Sequence, residues 1–130
     1  MSGTVTIEIA PGELIDKITI LAIKTEFISD PGKLANVRIE LETLEKSRDS
    51  AIAPSPEMTR LTEALKSVNL ELWKIEDDIR DGERDGDFGS VFVELARSVY
   101  KTNDRRAALK REINTLLGSR LVEEKSYQPY

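Results

Sequence analysis

Apolar residues recur along most of the chain at intervals of three and four, the spacing that gathers side chains on one face of an α-helix. The clearest run is Leu61, Leu65, Val68, Leu72, Ile75 and Ile79. It alternates steps of four and three, the seam of coiled-coil-like packing. Ser55 is placed to cap this helix and Pro56 suits its first position, so a helix over 56–80 is predicted. Upstream, Leu14, Ile18, Leu21 and Ile28 form a seam that Ile15, Ala22 and Ile23 widen, predicting a helix over 11–28. Its β-branched residues are mediocre helix formers, so it must rely on burial. Leu34, Val37, Leu41 and Leu44 mark a helix over 31–51, started by Asp30 and Pro31. The stepping resumes in Phe88, Phe92, Leu95, Val99, Thr102, Arg106, Leu109, Ile113 and Leu116, predicting a helix over 88–117 that stops at Gly118.

Two stretches break this rhythm. Thr4–Ile9 alternates polar and apolar residues and reads as a short strand over 4–9. Its partner would be Arg120-Leu121-Val122 of the tail (118–130) or a second subunit. Asp81–Gly86 reads as an acidic, Gly-containing loop. Short connections make successive helices antiparallel. The expected fold is therefore all-α: an antiparallel four-helix bundle with a short N-terminal β-strand, one domain spanning 1–130. Folding about the 81–86 loop puts Leu72 near Leu95, Val68 near Val99 and Leu61 near Arg106. The end of the fourth helix then overhangs, and its Leu109/Ile113/Leu116 seam becomes a dimer surface.

Composition narrows the chemistry. Only 5% of the 130 residues are aromatic, so Leu, Ile and Val must fill the core. Cys and His are absent. That removes thiol catalysis, disulfides, ordinary structural zinc and His-dependent nucleophile systems. Any metal would need oxygen ligands, which suits Mg²⁺, Mn²⁺ or Ca²⁺. A net charge of −5 argues against nucleic acid and anionic membranes as partners. The start Met1-Ser2-Gly3-Thr4 lacks the features of a signal peptide, and no apolar run approaches a membrane span. A cytoplasmic location is the expectation.

Four groups of residues carry candidate chemistry. Glu71, Glu76, Asp77, Asp78 and Asp81 cluster at the end of the third helix, with Glu94 facing them. Glu76, Asp77 and Asp81 are candidate Mg²⁺ ligands for attack of activated water on a nucleotide phosphate; a solvated face of ion pairs is the ordinary alternative. The Asp81–Gly86 loop fits the early positions of a calcium loop, but Phe92 stands where the bidentate Glu belongs. Arg97, Lys101, Arg105, Arg106, Lys110 and Arg111 form a basic stretch. Such a stretch could hold phosphate or a nucleic-acid backbone, but pairing with Glu57, Glu63 or Glu71 accounts for it more cheaply. Finally, Arg106 falls on a buried seam, flanked by Asn103, Lys110 and Asn114, while Asp16, Lys17, Thr19 and Lys24 flank the first helix's stripe. A seam arginine is costly unless paired. Lys17, Asn103, Arg106 and Lys110 are either a small-anion pocket or part of a buried ion pair that fixes register. Trp73 reads as packing in the core or at a subunit interface.

The segments PGELIDKITILAIK (11–24), KLANVRIELETL (33–44), LWKIEDDIRDGE (72–83), NDRRAALKREIN (103–114) and GSRLVEEKSY (118–127) together resemble a family of short, uncharacterised bacterial proteins carried as a domain of unknown function. The resemblance spans nearly the whole chain and implies no assigned activity or catalytic residue. The function expected from the residues is a self-associating protein-interaction module, a homodimer with a protein partner and no cofactor. The alternative is a small-anion or Mg-nucleotide binder or hydrolase.

Overall fold

The computed structural model describes residues 3–130. It contains four helices: α1 (Pro11–Phe27), α2 (Pro31–Ala51), α3 (Pro56–Asp85) and α4 (Ser90–Leu116). Three of them open on proline in the first turn. The Asp30 carboxylate accepts the Lys33 amide at α2, and the Ser55 hydroxyl accepts the Met58 amide at α3. Each cap occupies one of the amide donors that a helix start leaves unpaired.

The helices do not surround a common axis equally. α1 lies against all three others, and α3 and α4 form a long hairpin, whereas α2 lies against α1 alone. α1 is accordingly buried around most of its circumference, as Leu14, Ile15, Ile18, Leu21 and Ile23 show. A helix apolar on most sides belongs inside. The densest core joins Ile15 to Met58, Leu61, Leu65 and Ile113, with Ile52 and Leu109 packed at its edge. α2 contributes one buried residue, Val37.

Among the described residues there is no β-strand, which corrects the strand expected over 4–9. Val5 is 85% and Ile7 is 69% exposed. The tail does approach, but through a side-chain ion pair between Arg120 and Glu8 (2.6 Å). Two segments this short offer few ladder bonds, too few for a sheet that stands alone.

The loop expected over 81–86 is also corrected. α3 continues through it to Asp85 and stops at Gly86, whose φ of 67° is left-handed. Arg84 pairs with Asp81 one turn back, so the charged residues read as loop stabilise the last turn instead. Gly82 is helical for a packing reason: a Cβ there would lie 2.9 Å from the Phe92 ring. The turn is thus Gly86–Gly89, and α4 begins at Ser90, later than the sequence pattern suggested. This shifts the hairpin register. Leu61 joins the core cluster that includes Ile113 and not Arg106, and Ile113 is fully buried. The expected Leu109/Ile113/Leu116 dimer seam is therefore largely core. Only Leu116 of the three is well exposed.

Two regions lie outside the shared core. From Leu70 to Lys101, the far half of the α3–α4 hairpin, no residue is buried. This arm begins where Phe27, the last residue of α1, stacks on Trp73 with ring centroids 5.7 Å apart. After Gly118 (φ 64°), the tail runs back along α4. There Glu124 pairs with Arg111 at 2.8 Å and the Tyr130 hydroxyl donates to Asp104 at 2.7 Å.

Candidate functional site

The most concentrated polar chemistry sits where α1 crosses α4. On α4, Arg106, Lys110 and Asn114 recur every four residues and form one stripe. Gly12, Glu13 and Asp16 of α1 face it. The Gly12 amide donates to Asn114 Oδ1 at 2.7 Å. A Cβ on Gly12 would come within 2.9 Å of the same oxygen and nearer still to the Lys110 carbonyl. Glycine is what lets the two helices approach this closely.

Asp16 is 1% exposed. Its Oδ1 accepts from Arg106 Nε and from Asn69 Nδ2, both at 2.9 Å, and its Oδ2 accepts from Arg106 Nη2. Asn69 also donates to the Thr19 hydroxyl at 2.9 Å, which itself donates to the Asp16 carbonyl at 2.8 Å. One buried carboxylate thereby ties α1, α3 and α4 together. Burial pushes the Asp16 carboxyl up, but the hydrogen bonds from Arg106 and Asn69 and the charges of Arg106 and Lys110 outweigh it, leaving its pKa below the ordinary 3.8. The hydrogen bond with Asp16 raises Arg106 above its usual range, against the opposing effect of burial.

One turn along, Lys110 is almost wholly enclosed. Its ammonium lies 2.7 Å from Glu13 Oε2 and 2.7 Å from Glu123 Oε2 of the tail. Burial pulls the ammonium down, yet the hydrogen bonds to Glu123 and Glu13 carry its pKa above the usual 10.5. Glu13 is held below its ordinary 4.5 chiefly by the hydrogen bond from Lys110. Lys17 completes the rim, half exposed and 3.6 Å from Glu13. Three cations (Lys17, Arg106, Lys110) thus meet three carboxylates (Glu13, Asp16, Glu123), and the site is neutral as it stands. No buried side-chain polar atom among the described residues lacks a partner.

Of the four residues singled out for an anion, the structure brings Lys17, Arg106 and Lys110 together. Asn103 lies half-buried one turn before Arg106. The residues that sequence reasoning passed over are Asn69 and Glu123. Asn69 interrupts no apolar period, and Glu123 sits in a tail whose path no local pattern specifies.

The acidic cluster is arranged differently. Glu76 pairs with Arg80, Asp78 with Lys74 and Asp81 with Arg84, all within α3 and all solvent-facing. Asp77 is exposed. Among the described residues no group of three carboxylates converges as a metal site. The basic stretch is likewise largely matched: Arg97 by Glu94, Arg105 by Glu71 and Arg111 by Glu124. A groove at the arm's tip has Val91, Phe92 and Leu95 on its apolar side and Asp78, Asp81, Asp85 and Asp87 along its rim.

Among the described residues no helix is long and apolar enough to cross a membrane. Compared with known proteins, residues 5–130 match the model of a family of unknown function, DUF6165. No curated protein and no solved structure matches the chain.

Proposed function

Because the chain belongs to DUF6165, a family of unknown function, we propose its role from the structure: it is a self-associating helical module of the cytoplasm, and its contact surface is the arm formed by the outer halves of α3 and α4. The observation that carries this reading is the absence of any buried residue between Leu70 and Lys101, although the apolar seam continues without interruption through Leu72, Ile75, Ile79, Phe92, Leu95 and Val99. Two helices alone cannot close such a seam. A third or fourth helix is what usually covers it.

Charge favours a second copy of the arm as the covering partner. Residues 76–87 at the tip carry seven carboxylates against two arginines, whereas at the base Arg97 and Arg105 are matched by Glu94 and Glu71 and Lys101 supplies a further positive charge. An antiparallel pair of arms about a two-fold axis sets each acidic tip against the other's Lys101. The same operation brings apolar Val91, 70% exposed, into the new interface. Such an isologous contact closes on itself as a dimer, and its charge pattern speeds and orients the encounter.

Light scattering after size exclusion tests the reading. The wild type should run as a dimer at micromolar concentration. Val91→Asp, and separately Lys101→Glu, should run as monomers with unchanged helical circular dichroism. Combining Lys101→Glu with Asp81→Lys should restore the dimer. A monomeric wild type throughout the micromolar range overturns the proposal.

A further inference from the structure

The neutral site between α1 and α4 is filled from two sources of unequal permanence. Glu13 and Asp16 belong to α1, which is locked inside the core. Glu123 belongs to a tail with no helix or strand of its own. That tail is held on the outside by exposed contacts: Glu124 with Arg111, Arg120 with Glu8, Tyr130 with Asp104, and the Tyr130 ring edge-on to Tyr100. Exposed pairs of this kind contribute little individually. Gly118, with its left-handed φ, is the pivot at which the tail leaves α4.

Withdrawal of the tail would uncover a particular set of cations. Lys110, its side chain 9% exposed, would lose one of its two carboxylates. Arg111 would lose Glu124. Lys17 already stands half exposed at the rim. Asp16 engages Nε and Nη2 of Arg106, which leaves Nη1 for another acceptor. The enclosed Lys110 ammonium would then keep Glu13 alone and lose one charge-assisted hydrogen bond, so the arrival of another anion favours departure of the tail.

We propose that this is a binding site for a small dicarboxylate, and that Glu123 is a tethered stand-in for the ligand. One ligand carboxylate takes Glu123's place on Lys110. The second is met by the rim cation Lys17 and by the spare donor of Arg106. The exchange replaces one carboxylate by another at the buried ammonium, so Lys110 stays paired. Because Glu123 is tethered, it competes as if present at roughly millimolar concentration. The wild type therefore takes the ligand more weakly than a chain without that carboxylate. The cations of this site, Lys17, Arg106 and Lys110, lie outside the arm.

The test is calorimetric titration of the full-length protein with succinate. Glu123→Gln should bind succinate about tenfold tighter than the wild type or better, as relief from a tethered competitor implies. Adding Lys17→Gln, which alters an exposed side chain and spares the core, should weaken that binding again. Limited proteolysis supplies a second readout on the wild type: succinate should speed cleavage within residues 120–130 and leave α1 intact. The proposal is overturned if Glu123→Gln binds succinate no better than the wild type, if neither binds, if Lys17→Gln has no effect on the binding seen, or if inorganic phosphate outcompetes succinate in Glu123→Gln.

Discussion

Replacing Asp16 with Asn removes one charge from the most enclosed carboxylate of the molecule and changes its shape hardly at all. The amide oxygen can still accept from Asn69 and from Arg106 Nε. The amide nitrogen, however, is placed where Arg106 Nη2 donates, so donor meets donor and the guanidinium loses its counter-charge. Breaking a buried pair by removing one partner costs about 3–5 kcal/mol. Arg106 keeps 28% of its side chain exposed, so the lower figure of about 3 kcal/mol applies. A domain of this length unfolds with an entropy near 0.27 kcal/mol per degree, which converts the loss to roughly 11 °C in Tm. Differential scanning calorimetry of wild type and Asp16→Asn measures it directly. The double variant Asp16→Asn with Arg106→Met should lose less than the single one, because the orphaned cation goes too. A Tm within about 2 °C of wild type for Asp16→Asn would refute the view that this pair ties α1 to α4.

The remaining predictions concern the same interface and the helix ends. Asp16 and Glu13 both have folded-state pKa values below their ordinary 3.8 and 4.5, so the stability they contribute is complete above about pH 5 and is lost as acid carries the solution through the lower folded values. Urea midpoints measured down the acid limb should fall accordingly, and fall less in Asp16→Asn. Gly12→Ala gains about 1 kcal/mol of helix propensity but overpacks the α1–α4 contact, for a net loss of about 1–2 kcal/mol in urea denaturation. Ser55→Ala removes the cap on the Met58 amide and should cost about 1 kcal/mol in the same assay. Gly86→Ala forces a left-handed conformation on a residue with a Cβ and should also destabilise by about 1 kcal/mol, with no steric clash to add to it.

What could be read before the structure was whatever is written in local period and punctuation. The seams of all four helices, the caps at Asp30 and Ser55 and the stop at Gly118 are each fixed by residues a turn apart. The end of α3 was obscured because Gly82 and a run of charges look like a loop, whereas Arg84 and Asp81 pair along the helix and Gly82 is small to admit Phe92. That local misreading displaced every cross-hairpin neighbour and turned Ile113 from core into supposed surface. The need of Arg106 for a carboxylate was legible from its seam position. Its partner was not, since Asp16 is one of many acidic residues and only the α1–α4 crossing selects it. Asn69 and Glu123 enter the site from a third helix and an irregular tail, and sequence spacing says nothing about either approach. The short strand failed for a different reason: alternation at 4–9 is a sound pattern and the tail does come near through Arg120 and Glu8, but two segments this short offer too few ladder bonds for a sheet that stands alone.

The placement of α2 carries a consequence for how the molecule opens. This helix rests on α1 and on neither α3 nor α4, so it can detach as a cooperative unit while the crossing of α1 with the hairpin stays intact. The molecule therefore has two tiers of opening free energy instead of one. Native-state amide exchange should resolve them, with α2 amides exchanging through a subglobal excursion and those around Ile15, Leu65 and Ile113 only through complete unfolding. Proteolytic nicking would follow the same order, beginning between residues 28 and 54, so the earliest damage to the chain falls on the helix whose loss leaves both the buried ion pair and the arm in place.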